Sequence, residues 1–139
     1  MSKSEEHRLK HLEFVQSVIN RLSSNSFLLK GWTVVLLSSL FILSGNDADQ
    51  RFIYIAFIPC LVFWALDGYF LWQERIYRKL YDRIRLKKLE EVDFCMNTKD
   101  VMQDVDGWIK AIFSKTIWPF HGTMLLSAVV ILFIQMEIV

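Results

Sequence analysis

The sequence predicts an all-α membrane protein: three transmembrane helices, an amphipathic N-terminal helix, and a cytoplasmic helical segment between spans two and three. Three observations carry this. Charge is segregated, with most Asp, Glu, Lys and Arg confined to residues 3–30 and 74–115 of a 139-residue chain, whereas a soluble domain mixes charge along its length. Three apolar stretches, at residues 27–44, 52–72 and 117–138, each reach about 27 Å or more at roughly 1.5 Å per residue, enough to cross a hydrocarbon core. Lys and Arg lie almost wholly on one side of those stretches.

Residues 4–25 form the first element. Leu9, Leu12, Val15, Ile19 and Leu22 recur at steps of three and four, with Arg8, Lys10, Glu13, Gln16, Asn20 and Arg21 between them. That period makes an amphipathic helix too polar to span a bilayer. It is expected to pack on the protein's own cytoplasmic part; lying in the membrane interface or pairing between subunits are its other uses. Ser23-Ser24-Asn25-Ser26 is expected to end it and to cap the next helix.

Span one, 27–44, opens with Lys30 and Trp32, a snorkelling cation and an interfacial aromatic. The polar run Gly45-Asn46-Asp47-Ala48-Asp49 makes a short turn. Span two, 52–72, contains Pro59, a candidate kink. The two spans therefore form an antiparallel hairpin. Residues 73–115 are assigned to the cytoplasm. Residues 73 to about 91 continue the second helix, with Ile76, Leu80 and Ile84 as its apolar stripe. Asn97-Thr98 marks a new helix start, with Asp100 in the first turn. Val101, Val105, Trp108, Ile109 and Ile112 then form the apolar face of a further helix. Span three, 117–138, has Pro119 suited to its first turn, and Gln135 and Glu137 at its exit.

Orientation follows from the cations. Five Lys and Arg precede Gly31, ten lie in 73–115, one (Arg51) lies in the first turn, and none follows Lys115. That fifteen-to-one asymmetry puts the N-terminus and 73–115 in the cytoplasm, and the first turn and C-terminus outside. No cleavable signal is expected, because the first apolar stretch begins near residue 27, behind Glu5, Glu6 and Glu13. A net charge of +1 gives no global field for nucleic acid. Cys60 and Cys95 match no metal-ligand spacing and are not expected to pair. His7 and His11, four apart, lack a third ligand. No phosphate loop, nucleophile elbow or His-Glu-x-x-His motif occurs, so neither an enzyme nor a cofactor is expected.

Asp67 is the most informative residue. It lies five positions before Trp72, about 7 Å inside the cytoplasmic interface, where a carboxylate costs free energy unless paired, hydrated or protonated. Lys30, entering with span one, and His121, early in span three, can reach the same level, so a Lys30–Asp67–His121 constellation would tie all three spans together. Its bland use is a structural pair; its sharper uses are ion permeation, gating or proton-linked transport. Ser38, Ser39 and Ser44 suit close helix packing, with hydroxyls bonded to the preceding turn, or a pore lining. Arg75, Arg78, Lys79, Arg83, Arg85, Lys87 and Lys88 form a basic surface for anionic lipid, with an acidic protein partner or a nucleotide as the other candidate ligands. Trp32, Trp72 and Trp118 are placed as interface anchors, and Trp64, lying deeper, between helices.

Asn25-Ser26-Phe27-Leu28-Leu29-Lys30-Gly31-Trp32, preceded by an amphipathic helix and followed by a transmembrane hairpin and a basic helix, resembles the SLATT-type and related small bacterial membrane effectors of anti-phage systems. The resemblance covers roughly residues 9–90; span three is additional to that two-span pattern. It implies a homo-oligomeric bundle in the bacterial inner membrane, perturbing that membrane under control of a cytoplasmic protein partner. The expected function is accordingly an oligomeric pore-forming or membrane-perturbing effector. The alternative is a non-conducting anchor or scaffold that recruits a soluble enzyme. Ser, Asp and His exposed toward a shared axis would favour the first; polar residues consumed within one protomer would favour the second.

Overall fold

Five helices carry the chain: α1 (Lys3–Gly45), α2 (Arg51–Leu86), α3 (Lys99–Met102), α4 (Trp108–Ile112) and α5 (Trp118–Ile138). This computed structural model describes the backbone of residues 3–45, 51–88, 91 and 93–138, and the side chains of these except 44, 45, 51–53 and 135–138. Helix is the only regular secondary structure among the described residues. Most of the expected polar turn at 45–49, and the side chains of Ser44, Arg51, Gln135 and Glu137, lie outside the described part.

α1 and α2 form a long antiparallel hairpin. At about 1.5 Å per residue they are roughly 65 and 54 Å long. Both carry a buried or half-buried seam at steps of three and four: Val15, Ile19, Leu22, Ser26, Leu29, Thr33, Leu37 and Leu40 on α1, and Ala56, Cys60, Phe63, Asp67, Phe70, Glu74, Tyr77, Tyr81 and Ile84 on α2. This is the period by which two helices stay in contact over many turns. Apolar clusters form at the two ends of the seam. One joins Val15, Ile19, Ile76, Leu80, Ile84 and Val101. The other joins Leu37, Ala56 and Cys60, with Met124 and Leu125 of α5 packed against it. The hairpin thus has a charged half, roughly 3–26 and 73–117, and an apolar half, where α5 completes a three-helix bundle.

Two helices are long and apolar enough to cross a membrane, within Lys3–Leu43 and Tyr54–Leu86. Only 11% of the most apolar stretch of α1, and 22% of that of α2, is buried inside the chain, so these stretches do not form the core of a closed soluble fold. The described apolar stretch of α5, Trp118–Ile134, is shorter. α2 continues through Pro59.

Three expectations are corrected. The break at residues 23–26 does not occur: α1 is one helix from Lys3 to Gly45. Ser and Asn favour caps only weakly when a helix packs along its whole length, and Ser26 is spent on a tertiary contact instead of a cap. The extension of α2 ends at Leu86, short of 91. The single helix expected over 98–112 is two short ones, α3 and α4, because Asp104, Asp106 and Gly107 are poor helix formers and Gly107, with extended ψ 163°, starts α4 afresh. The start near Thr98 is found, but it is the Asn97 side chain that accepts from the Lys99 amide at 3.0 Å. Val101 is buried and Val105 half-buried, whereas Trp108 and Ile109 face outward, so the five do not share one covered face.

The loop before α3 folds back on α1. Phe94 takes a positive φ of 52° and sets its ring against His7, His11 and Phe14, with centroids 5.5–6.5 Å apart. Buried His11 places Nε2 3.2 Å from the Cys95 carbonyl. The Cys95 amide donates to Asp93 Oδ1 at 3.2 Å and, helped by the Lys87 ammonium, holds that carboxyl below its ordinary range. Cys60, at the far end of the hairpin, and Cys95 are both free thiols.

Candidate functional site: a buried polar node between three helices

The seam of the hairpin is interrupted by polar groups near its middle. Ser26 and Lys30 are one turn apart on α1, Asp67 lies opposite on α2, and His121 reaches in from the first turn of α5. Asp67 is 0% exposed. Its Oδ2 accepts from Lys30 Nζ at 2.6 Å and from His121 Nε2 at 2.9 Å. Its Oδ1 accepts from the Ser26 hydroxyl, and that hydroxyl oxygen in turn accepts from Lys30 Nζ at 2.9 Å. A carboxylate only accepts, so the contact requires the proton on Nε2 of His121. The carboxylate therefore has three donors, from two other helices.

Aromatic packing holds the histidine. The His121 ring stacks on Trp64, with centroids 6.0 Å apart and planes at 7°, and Phe120 meets it edge-on at 5.1 Å. Trp64 is itself fixed by donating Nε1–H to the Ile112 carbonyl at 3.1 Å. Trp108 donates to the Ala65 carbonyl, also at 3.1 Å. These two bonds dock α4 on α2. The approach is close enough that a Cβ on Gly68 would stand 2.4 Å from Ile112 Cγ1 and 3.1 Å from its Cα. His121 Nδ1 is buried with no hydrogen-bond partner.

What this node can do follows from where it sits. Each of α1, α2 and α5 contributes a polar side chain, so the node fixes their mutual register. A one-turn slip would part Asp67 from at least one of Ser26 and Lys30, at the cost of a buried charge that is less fully paired. A polar group at one seam position is a known means of specifying register.

The other candidate residues are more scattered. Ser38 and Ser39 are both exposed on the side of α1 away from the node. Ser39 donates back to the Val35 carbonyl at 2.8 Å, as Thr33 does to Leu29. Of the seven basic residues between 75 and 88, four have acidic partners: Arg78 with Glu74 at 2.8 Å, Arg83 with Asp104 at 3.5 Å, Arg85 with Asp82 at 3.5 Å and Lys87 with Asp93 at 3.5 Å. Exposed pairs of this kind add little stability, but they cancel much of the expected basic field. Among the described residues Arg75, Lys79 and Lys88 have no ion pair. Arg75 and Lys79 line a cleft of about 430 Å³ whose opposite wall carries Asp104 and Asp106. Of the tryptophans proposed as anchors, Trp32 and Trp118 are exposed and Trp72 is half-buried.

Sequence reasoning could place Lys30, Asp67 and His121 at one level from their distances to the span ends. It missed Ser26, read as a cap, and Gly68, whose signal was only a glycine beside the aspartate. Comparison with protein-family models, with curated proteins and with solved structures finds no match.

Proposed function

We propose that the chain is a non-conducting membrane anchor and scaffold. It crosses the bilayer three times, with the N-terminus and charged half in the cytoplasm and the C-terminus opposite, assembles with copies of itself, and presents the charged half to a cytoplasmic protein partner. The observation that carries this is the node: the carboxylate, ammonium and imidazole of the apolar half meet one another inside one protomer. Conducting pores instead turn polar groups toward a lumen. The largely exposed apolar stretches of α1 and α2 support membrane embedding, since lipid covers such faces at no cost. The 21 residues of α5, about 31 Å of helix, support a third crossing, and the fifteen-to-one cation asymmetry supports the orientation. The paired acids and bases of 73–106 suit a surface that recognises a protein.

Self-assembly is supported by the outer face of α1. Phe14, Arg21, Leu28, Val35 and Ile42 alternate there with Ser17, Ser24, Gly31 and Ser38, each set spaced by seven and all exposed. Gly31 has nothing within 4 Å of the place a Cβ would take, so packing within the protomer does not require a glycine there. Large and small residues in heptad register let a second helix approach closely.

That same face favours a second reading, the oligomeric pore or membrane-perturbing effector implied by the SLATT-type resemblance, since Ser38 would lie near a shared axis. Ion flux in proteoliposomes separates the two. The anchor reading expects flux no greater than in empty vesicles, and no change with Asp67→Asn when normalised to assembled protein. Flux that follows protein density and shifts with Ser38→Leu would replace it with the pore reading. Topology is checked separately: a reporter fused after Val139 should report the outer side, and cytoplasmic signal would overturn three crossings.

A further inference from the structure

α4 and its flanking turns expose an apolar patch at an unexpected height. Ile109 is 63% and Phe113 62% exposed, and Trp108 and Trp118 beside them are also open. A soluble cytoplasmic helix would turn such residues inward. Here the inward residues are Ala111 and Ile117. The docking contacts of α4 fall on residues 64–68 of α2: Trp64 to the Ile112 carbonyl, Trp108 to the Ala65 carbonyl, and Gly68 against Ile112. That level is four to eight residues nearer the apolar end than Trp72, about 6–12 Å along the helix axis. α4 therefore sits beside the apolar stretch of α2, in which Leu61, Leu66 and Tyr69 are exposed at about the same level.

From this placement we infer that α4, with the turns on either side, is an interfacial element seated in the headgroup layer of the phospholipid bilayer, its Trp108–Ile109–Phe113–Trp118 patch in contact with lipid. The inference rests on the membrane-crossing reading of α2. Three features select lipid as the occupant. The patch adjoins α2 through Trp64, whose ring lies 5.8 Å from that of Phe113 and 5.9 Å from that of Trp118, and runs into α5, which begins at Trp118. Its aromatic content suits the headgroup boundary, where Trp is favoured. Exposed Lys115 flanks it, placed to snorkel toward phosphates, and on its other side Lys110 is exposed and paired with Asp106 at 2.7 Å. The depth of about 6–12 Å also matches the roughly 5–10 Å to which interfacial helices bury their apolar face. The segment between spans two and three would then dip into the cytoplasmic leaflet before the third crossing begins.

Site-directed spin labelling of the full chain tests this. In a Cys60→Ala, Cys95→Ser background, nitroxides are placed at Ile109→Cys and Phe113→Cys, with Ile58→Cys on the outer face of α2 and Gln103→Cys beyond α3 as references. Collision with dissolved oxygen and with a water-soluble nickel chelate is measured in vesicles of phosphatidylethanolamine and phosphatidylglycerol. The expected result is a severalfold preference for oxygen at 109 and 113, as at 58, against a preference for the chelate at 103. Chelate preference at 109 and 113 with oxygen preference at 58 would overturn the inference and leave the membrane reading standing. Low collision with both reagents at 109 and 113 would mean that a second copy or another protein covers the patch, and would also overturn it. Chelate preference at 58 would remove the membrane reading itself, and this inference with it.

Discussion

Asp67→Ala is expected to destabilise the bundle by about 3–5 kcal/mol, the usual cost of removing one partner from a buried pair. The substitution strands Lys30 Nζ, the Ser26 hydroxyl and His121 Nε2–H together, because all three converge on this carboxylate. Lys30 has an escape, since its side chain is 21% exposed and a lysine can snorkel outward; His121, at 1%, has none. Asp67→Asn should be much milder. Its amide oxygen can keep the Ser26 contact at the Oδ1 place, and its NH₂ at the Oδ2 place can donate to His121 in the other ring tautomer, while Lys30 loses that oxygen, keeps its bond to the Ser26 hydroxyl and can snorkel outward. Pairing Asp67→Asn with Lys30→Gln should return stability close to the starting value. Reversible unfolding in mixed micelles, followed by tryptophan fluorescence, gives the comparison. If Asp67→Ala lost no more than Ser39→Ala, a change at an exposed hydroxyl, the node would have no role in holding the helices.

Gly68→Ala is the second large effect. The added Cβ would fall 2.4 Å from Ile112 Cγ1. Rotating the isoleucine does not relieve it, because Ile112 Cα and N stand at 3.1 and 3.2 Å. Relief therefore requires α4 to move off α2, which lengthens the two tryptophan hydrogen bonds. Overpacking of this kind costs about 1–3 kcal/mol. Gly31→Ala makes the matched control. Its Cβ would meet nothing, so the stability of the protomer should rise by about 0.5–1 kcal/mol from helix propensity, while self-assembly weakens if the outer face of α1 forms the contact between copies. Thermal midpoints and native mass spectrometry of the two variants read both consequences. Equal midpoints would mean that α4 is not held against Gly68.

Much of the architecture follows from the sequence by itself. Charge segregation and the three- and four-residue recurrence of apolar side chains determine an all-helical chain with long apolar helices, because helical period and uninterrupted hydropathy are local properties. The common level of Lys30, Asp67 and His121 was also legible, because rise per residue converts position into depth. What local pattern cannot carry is competition between neighbours. Residues 23–26 have the composition of a cap, yet the helix runs on through them, and Ser26 spends its hydroxyl on Asp67 across the seam and on Lys30 one turn along its own helix. The seven cations between residues 75 and 88 look like a basic surface until Glu74, Asp82, Asp93 and Asp104 are brought alongside four of them. Val101, Trp108 and Ile109 share a helical period in sequence, but Asp104, Asp106 and Gly107 divide the segment, and the tryptophan bonds to α2 decide which of its side chains are covered. Only the tertiary structure could decide whether the polar groups of the apolar half face one another or a common lumen. That depends on how three helices are rotated about their axes, and the rotation is set by packing summed over all three.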